Sequence, residues 1–411
     1  MTGYVPLKRV ARIRYGLGQP PPLSEEGVPI IRATNVSRGK ISANNLLRAR
    51  LEDLPLDRAP LLHEGEILVV RSGAYTGDSA RITSEWTASA PGYDLRVTPQ
   101  TVDSRFAAHA LLSTAVLDQI SLASTRAAQP HLNAEELGEV KLWLPPLEEQ
   151  RRIADFLDAE TARIDQLVLK RRQMRSLLTL KRERVIESTL GLERAQTTDG
   201  LVPLKYLVAD VTVGIVITPA KWYVEAGGTP ALRGLNVKPG FISTGDLVQI
   251  SAEGHAENRK SRLNTGDVVV VRTGQAGAAA VVPAELDGAN CIDLIVVRPG
   301  RKTSPRYLQY VLNSDYASAR VTEHSVGSIQ AHFNVGAMKQ IPIPSIPRTE
   351  QDEIVRLLDI RVGALDQLHR KLDHQEQLLT ERRQALITAA VTGQFDVSTA
   401  SGRNVTDGVA A

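Results

Sequence analysis

The sequence predicts a protein of the α/β (α+β) class, with two similar mixed domains, each followed by one long helix. Three observations carry this. A large unit is written twice; each copy holds short β-branched segments bounded by Gly, Pro and Ser; and each copy closes on apolar residues spaced by seven.

The duplication runs at an offset close to 201 residues. Val5, Pro6, Leu7 and Lys8 recur as Val202, Pro203, Leu204 and Lys205. Arg32, Asn35, Gly39 and Ser42 reappear as Arg233, Asn236, Gly240 and Ser243, and Gln129, His131 and Asn133 as Gln330, His332 and Asn334. Two copies of so large a unit are not a solenoid, whose repeats are shorter and more numerous. They suit a partner that is itself two-ended.

Within each copy, Glu66 to Arg71 and Tyr93 to Val97, then Asp267 to Arg272 and Cys291 to Val297, read as short strands. Helical pattern is local, at Arg105 to Ser121 and Pro305 to Val321. Pro146 and Pro347 then open two long helices, with Glu148, Glu149, Glu350, Asp352 and Glu353 in the first turns, where the helix dipole favours negative charge. Leu358, Leu365, Leu372, Leu379 and Leu386 fall every seven residues in the second helix, with Ile354 and Leu368 beside them. The first helix has Leu157, Ile164, Leu178 and Val185 in the equivalent row, broken by Arg171, and Ile153, Leu167 and Met174 in a second row. This is coiled-coil spacing, sustained beyond the length of an ordinary amphipathic helix on a globular surface. At roughly 1.5 Å per residue, each helix is a rod of about 60 Å. From Thr392 onward the chain is small and polar and is expected to be disordered.

Composition narrows the function classes. Hydrophobic residues make up 42% and charged residues 23%, as in a globular protein, and no apolar run approaches a membrane span. Met1 to Val10 lacks the apolar core of a signal peptide, and a single cysteine, Cys291, excludes a disulfide framework, so a cytoplasmic location is expected. The net charge of +3 does not announce a nucleic-acid binder, yet Arg163 to Arg184 holds eight basic residues against Asp165 and Glu183. That run is either a solvated helix face or a surface for DNA phosphate or an acidic partner.

No catalytic set is recognisable. The chain has no phosphate-binding loop ending in Gly-Lys-Ser/Thr and no Gly-x-Ser-x-Gly elbow. Gly16 and Gly18 precede Pro21 and Pro22, which forbid a dinucleotide-binding helix there. Gln19 to Leu23 lacks the acceptor and the aromatic of an adenine methyltransferase turn, and Glu139 with Lys141 has Gln340 and Pro342 as its counterpart, which argues against a nuclease pair. No metal site is expected.

The candidate ligand-binding residues lie at strand-to-loop junctions. Arg71, Ser72, Gly73 and Tyr75 are matched by Arg272, Thr273, Gly274 and Gln275. Arginine can fork onto guanine or phosphate, hydroxyls can donate to phosphate, and glycine admits close approach. Arg126, Gln129 and His131, with Gln330 and His332, could reach base edges, as could Arg32, Asn35, Arg233 and Asn236. The alternative for these sets is a tight hairpin with a solvated Arg, and polar side chains bonding their own loops.

Taken together, the Pro-x-x-Glu-Gln helix starts at Pro146 to Gln150 and Pro347 to Gln351, the Gly65 to Gly73 and Gly266 to Gly274 segments, and the Gln-x-His-x-Asn segments resemble the specificity subunits of type I restriction-modification systems. The resemblance implies target recognition domains at 1–145 and 192–346, spacer helices at 146–191 and 347–392 that pair antiparallel, and a tail at 393–411. It implies that each domain reads one half of a bipartite, asymmetric double-stranded DNA site. Two modification subunits would dock on the chain and methylate adenine, with restriction subunits completing the complex. The chain itself would bind no cofactor: S-adenosylmethionine belongs to the modification subunit, ATP and magnesium to the restriction subunit. Two other classes use the same features differently. A parallel leucine-zipper homodimer would use the same heptads, and an enzyme in its own right would need the motifs that are missing. RNA binding through stacked bases is disfavoured by only 4% aromatic residues.

Overall fold

The computed structural model describes residues 3–124, 130–192, 200–323 and 333–399. They pack as two units: the described residues up to Arg172 together with those from Asp373 onward, and Gln173–Leu372. The repeat seen in the sequence is also a repeat of topology.

In the first unit a four-stranded antiparallel sheet runs in the order Ala11–Tyr15, Leu95–Pro99, Ile67–Val69, Ser79–Arg81. The inner strands are buried on both faces, which is why they read as apolar runs and not as alternation. One face packs on Phe106, Leu111 and Ile120, the other on Ile31, Leu62 and Trp86. A smaller sheet orders Leu47–Ala49, Val28–Ile31 and Ala90–Pro91, and Gly3–Pro6 pairs with Lys141–Leu144 just before the long helix. The second unit repeats this plan: Asp210–Val213, Leu294–Arg298, Val268–Val271, Ala279–Val281, with Leu201–Pro203 on Pro342–Pro344. The sequence expects one helix at 105–121 and one at 305–321; each is two. Ser104–Leu111 and Thr114–Ser124 are separated at Ser113, whose hydroxyl bonds the Ala110 carbonyl, and Pro305–Leu312 and Asp315–Glu323 are separated at Ser314 in the same way. Among the described residues no single helix is long and apolar enough to cross a membrane.

The long helices span Leu147–Leu190 and Arg348–Val391, and positive-φ glycines, Gly191 and Gly393, follow them as left-handed stops. The repeated glutamine of each helix start is a clamp. Gln150 accepts from the Asp103 N–H and donates to the Pro145 carbonyl, while Gln351 accepts from the Ser304 N–H and donates to the Ile346 carbonyl. Two turns further on, Asp158 takes His109 at 2.7 Å and Arg105 at 3.2 Å. Burial raises its carboxyl pKa, but hydrogen bonding and charge from His109, then Arg105, outweigh burial and hold it below the usual range. In the second unit Asp359 accepts from the Tyr310 hydroxyl and pairs with Arg306.

Inside each unit the two helices run antiparallel. In the first, Asp165 pairs with Arg383 and Arg172 with Glu376; in the second, Thr179 meets His369 and Arg182 pairs with Asp366. Residues Leu157, Ile164, Leu178, Leu358, Leu372 and Leu386 are buried as the heptad row requires, whereas Val185, Leu365 and Leu379 are half-buried. At the end of the first helix the buried positions move to Ile186 and Leu190, consistent with a 3.6-residue turn drifting away from a seven-residue row. Arg171 is half-buried within its row. The second row departs from expectation: Leu167 is 38% exposed, Met174 45% and Leu368 41%, so in the middle of the rods the seam is one row wide and flanked by ion pairs.

Each core is finished by the far end of the other long helix. Leu386, Ile387, Ala390 and Val391 join Leu157 and Ile164 in the first core, and Ile186, Leu190 and Leu192 join Val355, Leu358 and Val362 in the second. The tail also departs from the sequence reading over its described part. Phe395 lies 5.6 Å from Phe156, centroid to centroid, Val397 packs on the same core, and Gly393 sits against Trp143. Two apolar residues suffice to hold this stretch down; residues 400–411 lie outside the described residues. Leu386 is fully buried, so Leu386→Ala should cost the first unit about 2–5 kcal/mol. Hydrogen exchange should show lost protection at 95–99, with 294–298 unchanged. Equal loss in both segments would contradict the separation of the cores.

Candidate nucleic-acid interface

The loop between Ile67–Val69 and Ser79–Arg81 is closed by the Gly77 N–H donating to the Val70 carbonyl and the Thr76 hydroxyl donating to the Gly73 carbonyl. Gly73 and Gly77 have φ of +88° and +93°, and their counterparts Gly274 and Gly277 +78° and +95°, so glycine is required by the backbone. Nothing lies within 4 Å of where a Cβ would sit on Gly73 or Gly274, which leaves room for a ligand to approach.

The fold joins two motifs that the sequence separates by some sixty residues. Ser72 forms a β-bridge with His131, the Leu132 N–H donates to the Arg71 carbonyl, and Arg71 Nη2 lies 2.8 Å from His131 Nε2. A guanidinium only donates, so Nε2 is the acceptor here. Two residues that sequence reasoning missed complete the arrangement. The Arg71 Cζ sits 4.7 Å from the Tyr15 ring centroid and 4.4 Å from that of Tyr93, a cation between two rings worth about 0.5–1 kcal/mol per exposed face. Tyr15, Tyr75 and Tyr93 are 46%, 54% and 50% exposed. Beneath them the buried Asp94 carboxylate accepts from the backbone N–H of Arg71 at 3.2 Å; burial, only partly opposed by the Arg71 and Ala33 N–H groups and the Arg71 charge, pushes its pKa up to about 6.

In the second unit Arg272 is held differently. Its Nη1 donates to Asp293 Oδ1 at 2.7 Å, its Nε to the Phe333 carbonyl at 3.2 Å, and the Thr273 hydroxyl reaches Asp293 Oδ2 at 3.3 Å. Arg272 is thus engaged by its own domain through Nη1 and Nε. Gln275 is exposed on the loop.

Four other sequence candidates are internal clamps. Asn35 is 2% exposed; its Oδ1 accepts from the Arg32 N–H and its Nδ2 donates to the Ser42 and Asn44 carbonyls. Asn236, 1% exposed, does the same with Arg233, Ser243 and Asp246. Arg32 donates to the Asn45 carbonyl and Arg233 to the Asp246 carboxylate, so the pattern Arg-x-x-Asn shapes a turn. Asn133 and Asn334 cap short helices. Arg126, Gln129, Gln330 and His332 lie outside the described residues. The basic run of the first long helix is also partly consumed: Arg163, Arg172 and Arg182 pair with Glu160, Glu376 and Asp366. A cleft of about 1550 Å³ beside Tyr75 has Lys40 and Arg383 both bound to Asp165.

The duplicated sheets and their glycine loops find a match in a family model. The type I restriction modification DNA specificity domain matches this chain twice, at residues 23–172 and 226–375. The chain belongs to this family of specificity subunits. It is 21% identical over 390 residues to the EcoKI specificity subunit of Escherichia coli (strain K12), covering 91% of this chain and 83% of that one. With the EcoBI specificity subunit of Escherichia coli it shares 21% identity over 319 residues, 71% of this chain and 66% of the relative. Its fold is similar to a chain solved in work on complex assembly and conformational transition of the type I R-M system (TM-score 0.73, 18% identity, 96% of this chain and 98% of that chain). It is also similar to the HsdS subunit from Thermoanaerobacter tengcongensis (TM-score 0.51, 18% identity, 96% and 97% covered). The specificity subunit thus carries the family domain in both units, and both matches run on into the long helices.

Proposed function

We propose that this specificity subunit supplies sequence recognition, and no chemistry, to a type I restriction-modification complex. Each unit reads one half of a bipartite, asymmetric site in double-stranded DNA. The paired helices fix the spacing and dock two modification subunits, which methylate adenine with S-adenosylmethionine; restriction subunits bring ATP and magnesium. The observation that carries this reading is the family domain occurring twice, on two units of the same strand order. Antiparallel ion pairs inside each unit favour pairing within one chain over a parallel zipper between two.

The test is a map of methylated adenines in cells expressing the cognate modification subunit with and without this chain. Together they should methylate one split, asymmetric motif; the modification subunit alone should not. Methylation that is the same without this chain would overturn the reading.

A further inference from the structure

The two units differ most informatively in what surrounds their loop arginines. The sheets give the correspondence. Tyr15 lies opposite Leu95 as Val213 lies opposite Ile295, and the Gly16 N–H bonds the Asp94 carbonyl as the Gly214 N–H bonds the Leu294 carbonyl. Val213 therefore stands in the place of Tyr15, and Asp293 in that of Tyr93. The second unit replaces two aromatic faces with an aliphatic residue and a carboxylate, and the carboxylate accepts from Arg272 Nη1.

Resting on the reading that each unit contacts one half-site, we propose that Arg71 reads a guanine in the first half-site and that Arg272 reads no base. Tyr15 and Tyr93 hold the Arg71 guanidinium between their rings without consuming an N–H group, whereas Asp293 and the Phe333 carbonyl occupy Nη1 and Nε of Arg272 and Asp293 offsets its charge. Further, His131 takes one Nη2 hydrogen and so sets the rotation of the group about its chain. Nη1 and the second Nη2 hydrogen can then present a parallel pair of N–H groups. Such a pair matches O6 and N7 of guanine in the major groove; adenine presents a donor in place of O6, and pyrimidines lack the N7 acceptor. The glycine at position 73, with open space where a Cβ would project, lets the loop backbone come close to the duplex. A phosphate accepts the same fork but carries no sequence information.

The test is the methylated motif produced by the complete complex with wild-type chain, Arg71→Ala, Tyr93→Asp and Arg272→Ala. Arg71→Ala should turn one G·C position of one half-site degenerate, with a loss of discrimination of roughly 5- to 150-fold, and leave the other half-site as it was. Tyr93→Asp installs the carboxylate that the second unit already accommodates beside its arginine and should relax the same position, which keeps the proposal testable if Arg71→Ala does not fold. Arg272→Ala should leave every base preference unchanged. The proposal is overturned if both first-unit variants keep the full motif and merely methylate more slowly, if the relaxed position is an A·T pair, or if Arg272→Ala relaxes the second half-site. A wild-type complex that methylates no split motif would instead overturn the functional reading on which the proposal rests.

Discussion

Exchange of the second recognition domain for that of a relative should change one half of the methylated motif completely and leave the other half and the spacing as they were. Each unit has its own buried sheet and its own apolar clusters. The cores dictate where the graft is cut. Ile186, Leu190, Leu192, Val355, Leu358 and Val362 belong to the second core although they lie on or at the ends of the long helices, so the exchanged segment should run from about Leu204 to Ile341 and leave those residues in place. Mapping methylated adenines reads the result. Simultaneous change of both half-sites would show that the units do not read independently.

Lengthening both rods by one heptad should lengthen the unread spacer by about three base pairs. Seven residues add about 10 Å of helix, and a base pair rises about 3.4 Å along the duplex. Seven is the number that returns the buried row to its own face; four or three would break that row at the insertion. The antiparallel pairing fixes the matching site: Thr179 meets His369, so an insertion between Leu178 and Thr179 is faced by one between His369 and Arg370. A variant that assembles and methylates only the original spacing would assign the ruler to some other part of the complex.

The duplication, the sheet strands and the two rods were legible because each rests on a pattern in the chain itself: matched residues, apolar runs, a seven-residue row. The pair of helices where one was expected hinged on a single serine, Ser113 or Ser314, bonding back to its own turn. In the candidate site, the Arg71 loop was legible from its glycines, but the tyrosines on either side of it were not. Tyr15 belongs to the sheet's edge strand and Tyr93 to the bend just before its neighbour Leu95–Pro99, and small insertions hide from a linear alignment that Tyr93 and Asp293 stand in the same place. Asn35 and Asn236 misled for the opposite reason. They repeat faithfully because the turn needs them, and repetition alone does not tell a residue that holds a loop from one that reads a ligand.

The first recognition domain is also the last part of the chain to be completed. Leu157 and Ile164 leave the ribosome well before Leu386, Ile387 and Val391, the residues that cover the same core. At about 5–20 residues per second, the 200 residues from Gln173 to Leu372 occupy roughly 10–40 s of synthesis, far longer than a small domain needs to fold. Throughout that interval the first domain carries an unfilled apolar seam, while the second, whose closing helix segment has already been made, can shut as it emerges. Translation therefore delivers this protein with its second domain finished before its first, and a nascent chain stalled anywhere before Asp373 offers chaperones and proteases an open core at its older end.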